Sequence, residues 1–412
     1  MEWPQCVRAN QKFSQALENR PQVTHTMPSA PPSVRAVDAG TTTDGTAVPT
    51  FELDSGCGLV VTVCALGASV LAVRLGGSAV NIAPCHARAA LLDTGDLAAN
   101  PKMGATCGRV ANRTARSVFA LDGQAHGLTA NDGPHHLHGG ARGWDRRVWA
   151  VEAATAGAGA AWVTLALESP DGEEGWPGAV AARATLSVEG ATLGIEYRAE
   201  VRGTRATAVN LTNHCYWNLD GLASGSAMGH ALALHADEHV PLGSDGLPAA
   251  GAPLRRAVAG ALDFRAGASI GDKVAELARS GAGGDGGPRG FNSAFLVRGW
   301  EAPPPATPPA ATGEPHAAAL RARLREAAVL TSPDAQRSLT LRTTQPSVHL
   351  YTAWAFDGAQ VCEGAPMLPG SALALECQAP PDAANTAFGN VPRCVLQPGE
   401  QYAHLTTHEF TW

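Results

Sequence analysis

The feature that most constrains the fold is a strict two-residue alternation across residues 193–201. Apolar side chains occupy every odd position and Gly194 or charged side chains every even one: Leu193, Ile195, Tyr197, Ala199 and Val201 against Glu196, Arg198 and Glu200. Successive residues of a strand face opposite sides, so this segment is predicted to be a strand with one buried face. Residues 184–188 precede it across the tight 189–191 connection, which predicts a β-hairpin.

The same short-period pattern recurs along most of the chain. Val163, Leu165 and Leu167 alternate, residues 119–123 end in an Asp-Gly hairpin signal, and residues 59–73 form two successive strands. Helical periodicity is confined to Ile270–Arg279 and Ala317–Ala328. Many strands joined by Gly- and Pro-rich turns predict an all-β fold, a large antiparallel sandwich or barrel with few short helices.

The 412 residues are predicted to comprise a short N-terminal extension and one large domain. Residues 1–45 show no sustained apolar period and are predicted to be a mobile N-terminal extension. Residues 46–412 are predicted to form one domain. Gly- and Pro-rich stretches near 279–290 and 300–316 have strand patterning on both sides, so we expect surface insertions rather than domain boundaries.

Composition excludes several classes of partner. A net charge of −7 with 16% charged residues gives no basic stripe for nucleic acid. The longest apolar run, 59–73, is interrupted by Thr62, Gly67 and Ser69 and is shorter than the roughly 20 residues that cross a membrane, so no membrane partner is expected.

Nine cysteines without any Cys-x-x-Cys spacing predict neither a disulfide framework nor a structural zinc site, and they fit a reducing compartment. Residues 1–27 lack the apolar core of a secretory signal and carry Glu2 and Glu18. We therefore expect a cytoplasmic protein, with organellar targeting by the extension as the alternative.

Residues 210–221 form the first stretch that suggests chemistry. Period two puts Leu211, Cys215, Trp217 and Leu219 on one side and Thr212, His214, Tyr216 and Asn218 on the other. A His and a Tyr two residues apart can transfer a proton and recognise a hydroxyl. The plainer alternative is a strand whose outer face holds both rings by chance.

The second such stretch is 372–385. Leu373, Leu375 and Cys377 face one way, and Glu376 faces the other way beside small neighbours. A carboxylate with space around it at the end of an apolar strand fits a recessed general base. The alternative is a Glu that keeps an edge strand soluble.

Two Gly-rich segments contain further candidates. Asn112 and Arg113 end the segment 104–113, and an amide beside a guanidinium can bind several hydroxyls. The segment 133–145 holds three histidines within four residues. Their spacing fits neither a helical pair nor a zinc finger, so no metal site is predicted. His138 is interpreted as a hydrogen-bonding partner of a substrate oxygen, and the plainer alternative is a loop histidine with its own hydrogen-bonding partners in the protein.

Asp263 and Gln345 complete the set of hydroxyl-binding candidates, one on a connecting segment and one at a strand end before Pro346. The chain shows no Ser–His–Asp motif, phosphate-cradling loop or dinucleotide fingerprint. One acid–base pair, His214 and Glu376, surrounded by hydroxyl-binding side chains, fits the opening of a cyclic sugar. That reaction needs one group to take the anomeric proton and another to protonate the ring oxygen.

At these residues the sequence resembles the aldose 1-epimerase (galactose mutarotase) family. The matching segments follow the family order: NPKMGATCGRVANR (100–113), GPHHLHGGARGWD (133–145), SPDGEEGWPG (169–178), NLTNHCYWNLDG (210–221), LDFR (262–265), TTQPSVHLYTAW (343–354) and LECQAPPDAAN (375–385). The resemblance implies a single large β-sandwich of the supersandwich type that uses neither a metal nor an organic cofactor.

The resemblance also implies roles. Glu376 matches the family's general base and His214 its general acid, while the sugar-contacting positions match Asn112, Arg113, His138, Tyr216, Asp263 and Gln345. The implied substrate is a small aldohexose, galactose or glucose, and we expect a monomer or weak dimer. One departure stands out: where the family commonly has an aromatic-Asp-His-Asn run, this chain reads Phe291-Asn-Ser-Ala-Phe295.

Two alternatives to the epimerase remain at this level. A sugar-binding sandwich module could keep the pocket without the chemistry, although binding alone does not need both Glu376 and His214. An epimerase of phosphorylated hexoses would need a further basic cluster at the pocket, and the motifs contain none.

Overall fold

The computed structural model describes residues 30–85, 102–280, 289–303 and 317–412. In these residues the strands are, in chain order, β1 (Ser33–Thr41), β2 (Ala47–Asp54), β3 (Leu59–Cys64), β4 (Ser69–Leu75), β5 (Thr106–Cys107), β6 (Arg113–Thr114), β7 (Val118–Leu121), β8 (Gln124–Gly127), β9 (His136–Leu137), β10 (Ala150–Gly157), β11 (Ala160–Ser169), β12 (Ala179–Glu189), β13 (Thr192–Arg202), β14 (Thr207–Ala208), β15 (Thr212–Asn213), β16 (Tyr216–Trp217), β17 (Ala231–Leu234), β18 (Glu238–Val240), β19 (Arg256–Ala257), β20 (Ala268–Ser269), β21 (Asn292–Leu296), β22 (Arg325–Thr331), β23 (Ser338–Thr343), β24 (Ser347–Tyr351), β25 (Val361–Cys362), β26 (Ala365–Pro366), β27 (Leu373–Gln378), β28 (Val395–Leu396) and β29 (Gln401–Thr411). The α-helices are α1 (Ile270–Ser280) and α2 (Ala317–Arg321). Short 3₁₀ turns cover Ala115–Ser117, Trp144–Arg146, Glu173–Gly175, Leu222–Ser224 and Gly260–Leu262.

The three largest sheets are antiparallel and contain nine, six and four strands. The largest has nine strands in the order β10-β11-β12-β13-β29-β23-β22-β17-β20, the second has six in the order β16-β27-β24-β21-β18-β19, and the third is β1-β2-β3-β4. Both the predicted all-β class and the antiparallel sandwich are confirmed.

The hairpin predicted from the alternation at 193–201 lies in the middle of the nine-stranded sheet. Strands β12 and β13 pair over their whole length, with Val188 opposite Leu193. Gly190 turns the chain between them with φ of +56°, a left-handed backbone that glycine adopts without steric cost.

One continuous hydrophobic core joins the three sheets. It contains Val61 from the four-stranded sheet, Leu165 and Ile195 from the nine-stranded sheet, and Leu350 and Leu375 from the six-stranded sheet, all at most 4% exposed. Burying one such side chain contributes roughly 1.5–3 kcal/mol to folding. The core therefore fixes the six-stranded sheet, whose opposite face carries the candidate site.

The start of the domain needs correction. Ser33–Thr41 was assigned to the mobile extension, but it forms β1 and pairs with β2, with Ser33 opposite Asp54 and Thr41 opposite Ala47. Its polar, weakly periodic sequence gave little sign of a strand, which is held by pairing with β2 and by the contact of Val34 with the main core. Residues 1–29 lie outside the described part of the chain, as do 281–288 and 304–316 of the two predicted insertions.

One of the two helix predictions is confirmed and the other is largely wrong. Helix α1 covers the predicted 270–279 segment. Only Ala317–Arg321 of the predicted 317–328 helix is helical, because Arg325–Thr331 forms β22 between β17 and β23. Pairing with two neighbouring strands outweighs the helical propensity of the alanines there.

Residues 210–221 keep the predicted faces but do not form one strand. The predicted apolar set, Leu211, Cys215, Trp217 and Leu219, lies in the main core. The chain breaks into β15 and β16 because the Asn213 side chain donates to the Gly104 carbonyl and accepts from the Cys215 amide, which displaces regular pairing.

Two further observations bear on the predicted class of protein. No helix in the described ranges has the length and apolar character needed to span a membrane. Among the described residues, Cys57, Cys107, Cys215, Cys362, Cys377 and Cys394 are free thiols.

Candidate active site

The floor of the site is one face of the six-stranded sheet. Paired residues on neighbouring strands share a face, and His349 on β24 lies opposite Glu376 on β27. Asn292 on β21 is paired with Tyr351, two residues from His349, and so lies on the same face. The opposite face of β24 and β27, with Leu350 and Leu375, enters the core.

Two turns form the adjacent wall. Asn112 and Arg113 precede and begin β6, and His138 follows β9, its pairing partner. Asn112 and His138 both have left-handed backbones, with φ of +62° and +51°. Such conformations cost energy in non-glycine residues and cluster at functional sites. The close approach of Gly139 to the Gly108 carbonyl, where a Cβ would lie 1.8 Å from the oxygen, helps to hold this turn.

The floor and the wall enclose a pocket of about 520 Å³. Its lining is Lys102, Asn112, Arg113, Ala130, Asn131, Leu137, His138, Gly140, Ala141, Arg146, His214, Asn292, His349, Tyr351, Trp354, Ala355 and Glu376. The volume is in the range of small-molecule sites.

The two predicted catalytic groups meet in this pocket. His214 Nε2 lies 3.6 Å from Glu376 Oε1, and the two side chains are 7% and 3% exposed. Glu376 Oε2 and His214 Nδ1 are buried without a hydrogen-bonding partner among the described residues. Unsatisfied buried polar atoms are costly and call for an explanation, and a bound ligand would supply one.

Burial raises the pKa of the Glu376 carboxyl and lowers the pKa of the His214 imidazole. Desolvation raises the pKa of Glu376 to about 8, although the nearby Arg113 charge acts in the opposite direction. Desolvation, with a smaller contribution from Lys102, lowers the pKa of His214 to about 4. Between these values the pair holds one proton, as two coupled groups do when neither can carry a charge cheaply.

His138 is a hydrogen-bond donor towards the pocket. Its Nδ1 accepts from the Asn112 backbone amide at 3.1 Å, so the proton of the neutral ring is on Nε2. Burial and the neighbouring His214 hold the pKa of His138 well below its usual range, so the ring stays neutral.

The same tautomer bears on metal binding. His138, His214 and Glu376 offer potential ligand atoms within 4.8 Å of one another. A metal ligand needs a free lone pair, and Nε2 of His138 carries a proton while Nδ1 is occupied. The donor set therefore fits a sugar oxygen better than a metal ion.

Five predicted residues, Asn112, Arg113, His138, His214 and Glu376, line the pocket together. Tyr216 does not line it. Its ring packs behind His214 at a centroid distance of 5.0 Å and against Phe356 at 5.1 Å. Tyr216 thus packs against the histidine ring, and its expected contact with the sugar stays a prediction.

Asp263 and Gln345 do not line this pocket either, and their expected contacts with the sugar stay predictions. Asp263 accepts two hydrogen bonds from Arg265, at 2.9 and 2.7 Å, at the surface. Gln345 donates to the Leu211 carbonyl at 3.1 Å and to the Tyr402 hydroxyl at 2.8 Å, and it lines a separate cavity of about 570 Å³. Strand alternation could not reveal this, because both residues lie outside strands.

Replacing Asp263 with Asn is therefore expected to leave kcat and KM for a hexose within about twofold of wild type. An exposed ion pair contributes about 0–1 kcal/mol, so the melting temperature should change little. Steady-state polarimetry on the variant checks this. A KM raised tenfold or more would return Asp263 to the substrate site.

Sequence reasoning missed several lining residues, above all Asn292 and His349. The signal for His349 was available, since it lies four residues after Gln345 within the 343–354 motif and faces the same side as Glu376 across the strand pair. Asn292 had been noted only as a departure from the family run. Strand alternation gives no indication that Lys102 and Arg146 line the pocket, because neither residue lies on a strand of the six-stranded sheet.

The fold and site define a sugar-isomerase class of β-sandwich, and comparison with known proteins names the family. The profile of the aldose 1-epimerase family matches residues 49–409. The chain belongs to the aldose 1-epimerase family.

Individual relatives agree. The chain is 34% identical over 319 residues to galactose mutarotase from Homo sapiens, covering 77% of this chain and 81% of the relative. It is 31% identical over 377 residues to aldose 1-epimerase from Escherichia coli K12, covering 89% and 96%. The crystal structure of galactose 1-epimerase from Lactobacillus acidophilus superposes with a TM-score of 0.72 at 24% identity, covering 92% and 98%, and shows the fold.

The predicted enzyme class, an isomerase that interconverts anomers, is confirmed at the level of the family. A non-catalytic sugar-binding module and an epimerase of phosphorylated hexoses are not favoured.

Proposed function

We propose that the protein interconverts the α and β anomers of a hexose, galactose or glucose, with Glu376 and His214 exchanging protons with the sugar. The observation that carries this is the placement of one carboxyl and one imidazole 3.6 Å apart in a pocket of about 520 Å³. Opening a pyranose requires proton transfer at two oxygens attached to the same carbon, C1. A pair this close can reach both.

The proton count of the pair fits the reaction. In the opening step Glu376 as carboxylate takes the proton of the C1 hydroxyl while protonated His214 gives its proton to the ring oxygen. The C1–ring oxygen bond breaks and the free aldehyde forms. Rotation about C1–C2 presents the other face of the aldehyde, and closure returns both protons to give the other anomer. One proton on the pair is needed at the start and one remains after opening.

Substrate binding has to place that proton correctly. The pKa values of about 8 for Glu376 and about 4 for His214 favour the proton on Glu376 in the free pocket. A hydrogen bond donated by the C1 hydroxyl of the bound sugar favours the carboxylate form of Glu376. A ring oxygen that accepts from His214 favours the imidazolium. Binding of the cyclic sugar thus moves the proton to His214.

The wall residues orient the sugar in this proposal. His138 Nε2 donates to a sugar oxygen, and its ring packs edge-on against His214 at 5.4 Å. Arg113 is held by Asp132, with Nε donating to Oδ2 at 2.7 Å. The guanidinium therefore keeps a fixed direction in the wall, which suits it to recognise hydroxyls at defined positions.

The pH dependence of kcat/KM follows from the one-proton requirement. Below about pH 4 both groups are protonated and no base is left, and above about pH 8 neither is protonated and no acid is left. We expect a plateau between these values and a falling alkaline limb centred near pH 8. Polarimetry with subtraction of the buffer rate measures it. A rate that keeps rising to pH 10 would contradict the assignment of Glu376.

The function itself is tested by polarimetry on freshly dissolved α-D-galactose and α-D-glucose. The relaxation of optical rotation should accelerate in proportion to enzyme concentration. If no accessible concentration exceeds the buffer rate for either sugar, the proposal is wrong and a non-catalytic sugar-binding module is the better description.

A further inference from the structure

The part of the floor formed by β21 and β24 contains a polar pair that the proposed mechanism does not use. His349 Nε2 lies 2.8 Å from Asn292 Oδ1, and His349 is 1% exposed. Both residues line the pocket, and His349 is directly opposite Glu376 across the strand pair. The pair is thus fixed next to the strand that holds the Glu376 carboxyl.

The proton of the neutral His349 ring can lie on Nδ1 or on Nε2, and the burial of the ring distinguishes the two tautomers. If Nδ1 of His349 carried the proton, a buried N–H would have no acceptor among the described residues. If Nε2 carries it, Nε2–H donates to Asn292 Oδ1 and only a lone pair is left unpaired. Buried N–H groups without an acceptor are much rarer than unpaired acceptors, so the second assignment holds. Burial also lowers the pKa of His349 to about 3, which keeps the ring neutral.

This assignment fixes the orientation of the Asn292 amide. The oxygen is taken by His349, and Nδ2, with two N–H donors, makes no hydrogen bond with any other described side chain of the pocket. The backbone on either side is also held, since the Phe291 amide donates to Thr352 Oγ1 at 2.9 Å and Asn292 pairs with Tyr351. Asn292 therefore presents a donor to the pocket from a rigid support.

We propose that Asn292 is a specificity-determining residue that donates a hydrogen bond to a sugar hydroxyl other than that at C1, and that His349 positions it. A carboxylate, which the family commonly has here, only accepts hydrogen bonds, so the sugar hydroxyl has to donate to it. The amide reverses this direction: the hydroxyl accepts. This inference rests on the proposed function, because the ligand is taken to be a hexose.

Fluorinated and deoxygenated hexoses distinguish the two directions. A fluorine substituent accepts a hydrogen bond weakly and cannot donate one, whereas a hydrogen does neither. For each of positions 2, 3, 4 and 6 we define the fluoro/deoxy ratio as kcat/KM of the fluoro sugar divided by that of the deoxy sugar. Anomer exchange by ¹⁹F and ¹H NMR gives both rates. The inductive effect of fluorine on the chemistry is common to all enzyme variants, so it cancels when their ratios are compared.

At one position we expect the fluoro/deoxy ratio to fall by about threefold or more from wild type to Asn292→Ala, as for loss of a weak neutral hydrogen bond. Asn292→Asp should lower it by about tenfold or more, because a carboxylate repels fluorine. His349→Gln, which keeps an N–H donor, should preserve the wild-type ratio better than His349→Phe. If the ratio is preserved in His349→Gln but not in His349→Phe, His349 acts through its hydrogen bond to Asn292 and not only through packing.

Asn390→Asp is the matched control, because Asn390 is exposed and bonds to Arg255 away from the pocket. Fluoro/deoxy ratios unchanged at all four positions in both Asn292 variants would overturn the proposal. If Asn292→Asp does not fold, Asn292→Ala decides alone. Wild-type acceleration with natural galactose is measured first, so that failure of the proposed function is seen separately.

Discussion

Replacing Glu376 with Gln is expected to lower the catalysed rate of mutarotation by about 10²- to 10⁴-fold, the usual contribution of a general acid–base group. The amide has the shape of the carboxyl but cannot take the C1 proton. Polarimetry at pH 7 measures the loss, with Glu152→Gln as the control on the exposed strand β10. Activity within a few-fold of wild type would show that Glu376 is not the base.

The same substitution should stabilise the fold at alkaline pH. The pKa of Glu376 is raised from 4.5 to about 8, so the folded state binds more protons than the unfolded state between these values. Stability contributed by this residue is therefore present below about pH 4.5 and is lost as the pH rises through 8. The variant should melt above wild type at pH 8–9, and the difference should vanish near pH 4. Equal melting temperatures at pH 9 would contradict the buried carboxyl.

Replacing His214 with Asn is expected to cause a loss of similar size, about 10²- to 10⁴-fold, because the amide cannot supply the proton that His214 gives to the ring oxygen in the proposed mechanism. Glu376 and His214 act as one unit, so the double variant should be little worse than the more impaired single variant. Polarimetry on all three proteins measures this. Fully multiplicative losses would indicate independent roles.

His126→Asn serves as the control for this substitution. His126 lies on β8 in the β7–β8 hairpin and is absent from the pocket lining. Full activity in this variant, with loss in His214→Asn, would assign the effect to the pocket histidine rather than to loss of any imidazole.

Strand periodicity was enough to predict an all-β fold, a large sandwich or barrel, and the face of its strand on which Glu376 lies. The alternation around Glu376 requires that carboxyl to leave the core on the face opposite Leu375, and the structure has it there. The His214 segment was harder. Its faces were predicted correctly, but the bonds of Asn213 to Gly104 and Cys215 break the strand, and no local pattern encodes such a partner from another segment.

The residues that the structure places differently from the expected cluster have a common physical feature. Asp263 and Gln345 lie on connections, where side-chain direction depends on tertiary contacts such as those with Arg265 and Tyr402. His349 and Asn292 lie on strands, and their joint placement follows only from the register of β21, β24 and β27. Sequence periodicity gives the face of a residue but not its neighbours across the sheet.

A crystal structure of the wild-type protein soaked with galactose tests the central claim most directly. We expect the ring oxygen and the C1 hydroxyl to lie within about 2.6–3.2 Å of His214 Nε2 and the Glu376 carboxyl. Sugar bound only in the cavity beside Gln345 and Tyr402, or bound in the pocket with C1 turned away from Glu376, would contradict it.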